Sequence, residues 1–167
     1  MNQLFEYEIT PLTLAVVSKE SRDGKYTTYI MEEGREYAVH STPTKIIDYA
    51  CRFFGSTLEG RLEGTKDISQ IVYKAPVAID PSSGMYFFPT ASPKNKKCSW
   101  IAHSHIKIIY PKNENQECEI TFKNGKQITI DASYGSILNQ MQRTAQFRFT
   151  LESRINMIKE STFRQDE

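Results

Sequence analysis

Short runs of apolar and β-branched residues, separated by polar turns, dominate the first quarter of the chain and return in its middle. The runs that favour strands are residues 12–17, 26–31, 35–40, 85–88 and 100–110. Glu33-Gly34 supplies a turn between the second and third runs. The pattern predicts antiparallel strands, arranged as a meander or a set of hairpins.

The sharpest local signal is Asn124-Gly125, which lies between two alternating apolar and polar runs within residues 119–130. Asn-Gly flanked by such runs is typical of a type I′ β-hairpin. We therefore expect a hairpin centred on these two residues.

A helix is predicted over residues 43–54, because Thr42 is a suitable N-cap and Pro43 occupies the first helical position. Its apolar residues lie on one stripe and are Ile46, Ile47, Ala50, Cys51 and Phe54. We expect that stripe, together with Phe53, to be core, and Gly55 to end the helix.

Residues 136–160 contain no proline or glycine and carry apolar residues near helical spacing. They predict a long amphipathic helix that protrudes and pairs with another copy, followed by a flexible end at residues 161–167. The fold class is therefore α+β: a single domain over residues 1–160, rich in antiparallel strands, with one short internal helix and a long C-terminal helix.

Composition limits the possible functions of the chain without naming one. Its 167 residues fit one domain, and 25% charged with 39% hydrophobic residues is ordinary for a folded soluble protein. Neither a membrane span nor a signal peptide is recognisable, and three widely spaced cysteines suit reduced thiols, so we expect a cytoplasmic protein. With a net charge of +1, binding to a polyanion requires basic residues clustered on one face.

The glycine-rich segment at residues 55–65 suggests a phosphate-binding loop. Gly55 and Gly60 have the spacing of a P-loop, but Arg61 and Leu62 stand where the motif needs lysine and a hydroxyl residue. Leucine cannot ligate a metal, and a helix rather than a strand precedes the segment. Turns that need positive φ are the alternative, with the arginines in solvent.

His103 and His105 would project from one face of a strand and could share a metal ion. No paired cysteine or nearby acidic set completes a zinc site, and no local signature supports a cysteine nucleophile. We expect no metal, no cofactor and no catalytic activity.

Basic residues alternate with aromatic ones in two groups, which is typical of a phosphate-binding surface but also of a solvated one. The first group consists of Lys94, Lys96, Lys97, Trp100, His103, His105 and Lys107. The second consists of Arg52, Arg61 and Lys66 with Phe53 and Phe54. The basic residues of the long helix are more simply a solvated face.

Several motifs recur in order over residues 5–155 and make the sequence resemble the ComK family of competence transcription factors. They are Cys51-Arg52-Phe53-Phe54-Gly55-Ser56, Gly60-Arg61, Gly64-Thr65, Asp80-Pro81, Phe88-Pro89-Thr90, Trp100-Ile101, His103-x-His105, Phe122-x-Asn124-Gly125-Lys126, Asn139-Gln140 and Arg143-Thr144-Ala145. A dozen positions at matched spacing are more specific than any single motif above.

The resemblance implies an activator that binds paired A-rich and T-rich boxes, largely through the minor groove, as a self-associated complex. It also implies control by a proteolytic adaptor, although the family's C-terminal degradation signal is not carried over to this sequence. The glycines Gly55, Gly60 and Gly64 would let backbone approach DNA. Arg61, and after it Arg52, would meet phosphate or enter the groove. Phosphate contacts of second rank would be Lys66, Lys94, Lys96, Lys97, His103, His105 and Lys107.

A β-rich ligand-binding or protein-adaptor domain remains the alternative. In that interpretation the glycine segment shapes a pocket, DNA affinity is absent, and a ligand raises thermal stability by mass action.

Overall fold

The structure is a computed structural model that describes residues 9–165 of the chain. Within that range the strands are β1 (Thr13–Glu20), β2 (Tyr26–Glu32), β3 (Glu36–Val39), β4 (Val77–Asp80), β5 (Met85–Pro89), β6 (Trp100–Ala102), β7 (Ile106–Lys112), β8 (Glu117–Phe122) and β9 (Gln127–Ile130). The α-helices are α1 (Pro43–Phe53), α2 (Leu58–Ser69) and α3 (Tyr134–Gln165). The predicted α+β class is confirmed.

Two antiparallel sheets form the centre of the domain. The larger has the strand order β3-β2-β1-β6-β5-β4, and the smaller has the order β7-β8-β9. Strand β6 lies between β1 and β5, so the strand order of the large sheet does not follow the sequence. Residues distant in sequence, such as Val16 and Trp100, therefore pair across neighbouring strands.

The large sheet is buried on both faces, because successive side chains of a strand point to opposite sides. Val16, Phe87 and Trp100 face α1 and α2, where they pack with Ile46, Ile47 and Leu58. Their neighbours Val17, Phe88 and Ile101 face the small sheet and the start of α3. The domain therefore has three layers, with the large sheet between the two short helices and the small sheet.

Helix α3 joins these layers. Its Phe147 packs edge-to-face on Tyr86 of β5, with ring centroids 5.9 Å apart. Earlier in the helix, the buried Gln140 donates from Nε2 to the carbonyl oxygens of Lys74 and Pro89, at 2.9 and 2.7 Å. Arg143 donates to the carbonyl oxygen of Tyr73. These contacts fix the segment before β4 against the helix.

The glycine segment differs from expectation. Residues 58–69 form α2 instead of turns, so two short helices precede the C-terminal one within residues 9–165. Of the segment's three glycines, only Gly55 has a positive φ, at 84°. Thr57 caps the helix by accepting from the Gly60 N–H at 3.0 Å, and the Thr65 hydroxyl donates to the Pro76 carbonyl at 2.8 Å. The local cap and the contact with Pro76 offset the helix cost of a glycine, about 1 kcal/mol each.

The prediction of one continuous strand at residues 100–110 is also wrong. It is split into β6 and β7, which belong to different sheets, by a 3-10 turn at His103–His105.

The hairpin at residues 119–130 is present, but only Gly125 has a positive φ, at 91°, and Asn124 does not. The loop is therefore not type I′, because that turn needs positive φ at both residues.

The C-terminal helix is longer than predicted. It begins at Tyr134 and ends at Gln165, about 48 Å at 1.5 Å per residue. Residues 161–165 of the predicted flexible end continue the helix, and their flexibility stays a prediction. Residues 166–167, and residues 1–8 of the predicted domain, lie outside the described residues.

Replacing Phe147 by Ala should lower the free energy of unfolding by about 3–5 kcal/mol, because it removes a fully buried ring from the contact with Tyr86. Phe149→Ala is the matched control on the same helix, since 69% of that side chain is exposed. The control should change stability by no more than about 0.5 kcal/mol. Urea unfolding of both variants measures the difference, and equal losses would contradict the packing described.

Candidate nucleic-acid interface

The solvent-facing side of α1 carries cations and an aromatic ring. Its N-terminus is capped by Thr42, whose hydroxyl accepts from the Lys45 N–H at 3.3 Å, and Pro43 is the first helical residue, as predicted. Ile46 and Ile47 face the sheet and are fully buried. Lys45 and Arg52, seven residues apart, lie along the opposite side and are exposed.

Two grooves border α1, and lysines line both. The first groove, between β2, β3 and the start of α1, includes Lys25, Lys45 and Lys96. The second, between α1 and α2, includes Lys45, Lys66, Lys74 and Lys94 over an apolar floor with Leu58, Leu62 and Ile71. Lys45 belongs to both grooves, so they form one surface.

We call this the lysine surface and define it by Lys25, Lys45, Lys66, Lys74, Lys94 and Lys96. No ion pair within the described residues engages any of these six ammonium groups. Asp48, Glu59 and Glu63 lie along the second groove, and the first groove has no acidic lining residue in the described part of the chain. The surface therefore keeps an excess of positive charge, although the chain's net charge is only +1.

The loop that carries Lys94 and Lys96 is held against α1 by a chain of hydrogen bonds. Trp100 Nε1 donates to Thr44 Oγ1 at 3.1 Å, and that hydroxyl donates to the Pro93 carbonyl at 2.7 Å. On the other side, Ser18 Oγ donates to the Lys96 carbonyl at 2.6 Å. The backbone of this loop is thus held by the sheet and the helix, so binding a ligand does not require the loop itself to be ordered.

The negative charge of Asp48 in the second groove is paired with the positive charge of Arg52. Its Oδ2 accepts from Arg52 Nε at 2.9 Å, and its Oδ1 accepts from the Leu58 N–H at 2.9 Å. Partial burial opposes ionisation, but these hydrogen bonds and the charge of Arg52 outweigh it and lower the pKa of the carboxyl below its ordinary value. Asp48 consequently joins the middle of α1 to the first residue of α2 while it is charged.

The residues predicted to contact DNA separate into groups in the structure. Lys66, Lys94 and Lys96 belong to the lysine surface, and Arg52 lies on the adjoining face of α1. Lys97 points to a different groove, next to β8 and β9, and its Nζ is 3.6 Å from Asp131 Oδ2.

Arg61, the favoured arginine, is partly buried. Its Nε is buried with no hydrogen-bond partner among the described residues, and its Nη2 is 3.5 Å from the Phe54 carbonyl oxygen. Gly60 and Gly64 are helical, so they do not offer the free loop backbone that was expected. Gly55 ends the α1 turn with a positive φ.

His103, His105 and Lys107 follow the end of β6, whereas the loop with Lys94 and Lys96 precedes its start. His105 Nε2 lies 2.6 Å from the Pro11 carbonyl oxygen. Burial first, and then the charges of Arg148 and Lys123, lower the pKa of His103, so this residue is neutral near pH 7. Among the residues described, no three His, Cys, Asp or Glu side chains come close enough to hold a metal ion.

The sequence prediction missed three members of the lysine surface and misplaced two aromatics. Lys45 could have been found, because it lies on the side of α1 opposite the apolar stripe. Lys25 and Lys74 are turn and loop residues brought to α1 only by tertiary structure. The expectation that Phe53 and Phe54 are core is wrong, since 63% and 37% of them is exposed.

No helix within residues 9–165 has the length and apolar character needed to cross a lipid bilayer.

Comparison with known proteins identifies relatives over most of the sequence. The protein-family model described as "ComK protein" matches residues 4–156. The Competence transcription factor of Bacillus subtilis (strain 168) is 39% identical over 153 residues, which are 92% of this chain and 79% of that protein. No solved structure matches the chain significantly.

Replacing Asp48 by Asn should destabilise the protein at neutral pH and much less in acid. The folded-state pKa of Asp48 lies below its unfolded value of about 3.9. Its charge therefore contributes stability above that value, and the contribution is lost as the pH falls through the folded-state pKa. Unfolding free energies of both proteins at pH 7 and pH 3 measure this, and a difference that does not shrink in acid would contradict it.

Proposed function

The chain belongs to the ComK family, and on that premise we propose that it is a DNA-binding transcriptional activator of competence genes. The observation that carries the DNA assignment is the lysine surface around α1, with six lysines outside any ion pair in the described range. Lysine ammonium groups that neutralise phosphates release condensed counterions, which gives favourable, salt-sensitive binding. The relative is named a transcription factor, which agrees with a polyanionic partner.

We further propose that the recognised sequences are paired A-rich and T-rich boxes, contacted largely in the minor groove. A-tracts narrow this groove and concentrate negative potential in it, so a surface of cations favours them. The lysines would then contact the flanking phosphates, which position the protein, while the groove's shape carries the sequence preference.

Fluorescence-anisotropy titration tests this proposal with a duplex carrying two A-tract/T-tract boxes and a G·C-rich control duplex, at several salt concentrations. The protein should bind the box duplex more tightly, with an affinity that falls linearly in log salt. Lys94→Gln/Lys96→Gln should lower the salt slope by about 2, one per lost phosphate contact, with similar loss on both duplexes.

The matched control is Lys107→Gln/Lys112→Gln, which removes two charges from β7, beyond the other end of β6. Its slope should stay near that of the unaltered protein. An equal loss in this control would move the interface to the side that includes Lys107, as the sequence prediction has it. Absence of salt-dependent binding to either duplex would overturn DNA binding and favour a ligand-binding or adaptor domain.

Self-association is proposed to occur through the end of α3. The helix has an apolar stripe of Thr144, Phe147, Leu151, Ile155 and Ile158. Its first two members are buried in the domain, the next two are half-buried, and Ile158 is 68% exposed. The stripe therefore continues past the edge of the domain, where another copy of the same helix could cover it.

Ile158→Glu should weaken self-association, because it places a charge in the centre of the proposed helix contact. Asn156→Glu is the matched control, since residue 156 is exposed on a different side of the helix. Sedimentation equilibrium over a range of protein concentrations measures the effect. An unchanged association constant in Ile158→Glu would remove α3 from the contact.

A further inference from the structure

Two adjacent phenylalanines at the C-terminal end of α1 are exposed to solvent. Phe53 is 63% exposed and Phe54 is 37% exposed, and their rings meet edge-to-face with centroids 5.1 Å apart. Covering a side chain of this size normally stabilises a fold by about 1.5–3 kcal/mol. The apolar stripe of α1 already packs on the sheet through Ile46, Ile47 and Ala50, so the core does not use Phe53.

The backbone beneath the two rings is firmly held. The Phe54 N–H donates to the Cys51 carbonyl at 3.1 Å, and the Gly55 N–H donates to the Arg52 carbonyl at 3.0 Å. The Cys51 side chain is fully buried, which fixes this turn to the core. Phe54 supports one side of Phe53, so the exposed ring is presented in a limited range of orientations.

Basic residues of α1 lie beside this ring, about a quarter turn around the helix from it. Arg52 directly precedes Phe53, and Lys45 of the lysine surface lies two turns earlier on the same helix. Lys45 and Arg52 are separated by about 10 Å along the axis at 1.5 Å per residue. The exposed ring is therefore adjacent to a cation, Arg52, on the helix that also carries Lys45 of the lysine surface.

The size of the patch argues against a protein partner. If a phenylalanine side chain offers 150–250 Å², the exposed parts of the two rings amount to about 200 Å². A stable protein interface needs about 800 Å² on each side. A single ring beside cations has instead the dimensions of an apolar wedge, which minor-groove proteins insert between base pairs.

We propose that Phe53 inserts between two base pairs of DNA held by the lysine surface, with Phe54 as its support. This inference rests on the proposed DNA-binding function. Insertion is easiest at flexible pyrimidine–purine steps such as TA, which arise where a T-run meets an A-run. The wedge would therefore select A/T-rich boxes by their deformability, without a hydrogen bond to any base.

The test uses the full chain and duplexes in which 2-aminopurine replaces the adenine of the T-A step, because this base fluoresces more strongly when it is unstacked. The unaltered protein should raise the fluorescence at saturation. Phe53→Ala should abolish the rise and reduce the preference for the box duplex over the G·C-rich duplex by about tenfold, equivalent to about 1.4 kcal/mol. Its salt slope should not change, because no cation is lost.

Two further variants separate the wedge from other roles. Phe53→Leu retains an apolar side chain and should retain part of the fluorescence rise. Phe149→Ala removes an equally exposed phenylalanine from α3 and should behave like the unaltered protein. Urea unfolding midpoints of all variants should agree, since none of these side chains is buried.

The outcomes distinguish the wedge from the proposed function. Salt-dependent binding without a fluorescence rise, or a rise that survives in Phe53→Ala, overturns the wedge and leaves DNA binding in place. No binding by the unaltered protein overturns both. A Phe53→Ala protein that loses self-association but keeps the rise would assign this ring to a contact between copies instead.

Discussion

Two-sided burial of the large sheet is the constraint on which the rest of the structure depends. Val16 with Val17, Phe87 with Phe88, and Trp100 with Ile101 place neighbouring side chains in opposite cores. Each core needs a cover, which α1 and α2 provide on one face and the small sheet with α3 on the other. The exposed residues Lys45, Arg52 and Phe53 of α1, Lys66 of α2 and Ile158 of α3 lie on these covers, so their positions follow from the packing of the sheet.

Trp100 connects the constraint to the lysine surface. Its ring is fully buried in the helix-side core, and its Nε1–H begins the chain of hydrogen bonds that passes through Thr44 to Pro93. A buried indole needs a partner for that N–H, because leaving it unsatisfied costs about 1–3 kcal/mol. The demand is met by the same contact that holds the basic loop against the start of α1. Core packing and the placement of surface charge are therefore not independent here.

The sequence predicted well where the determinants are local. Four such features are the N-cap at Thr42, the apolar stripe of α1 apart from Phe54, the strand at residues 85–88 and the existence of the C-terminal helix. They depend on neighbours within a few residues. It failed where distant contacts decide. Helix α2 contains two glycines and depends on Pro76 and Asp48 for its anchors, while the break after β6 arises because β6 and β7 belong to different sheets.

Prediction of the candidate site met the same limit. Lys94, Lys96 and Lys66 were identified from composition, yet their assembly with Lys25 and Lys74 is a product of the tertiary structure. Arg61 was favoured over Arg52 because the neighbours of Arg52 on its helix are core residues, yet Arg52 itself is exposed and Arg61 is partly buried. Phe53 was assigned to the core, and its position seven residues after the buried Ile46 agrees with that assignment. It is exposed because it is the last residue of α1, where the tertiary structure leaves the side chain uncovered.

The bonds from α3 to the segment before β4 couple the two ends of the molecule. Gln140 and Arg143 hold the carbonyl groups of Lys74 and Tyr73, so Lys74 of the lysine surface shares its backbone support with the helix proposed to associate. A movement of α3 would therefore change the position of the Lys74 backbone. By thermodynamic linkage, the two equilibria affect each other equally. If self-association changes the affinity of the lysine surface for its ligand by some factor, binding of that ligand changes the self-association constant by the same factor.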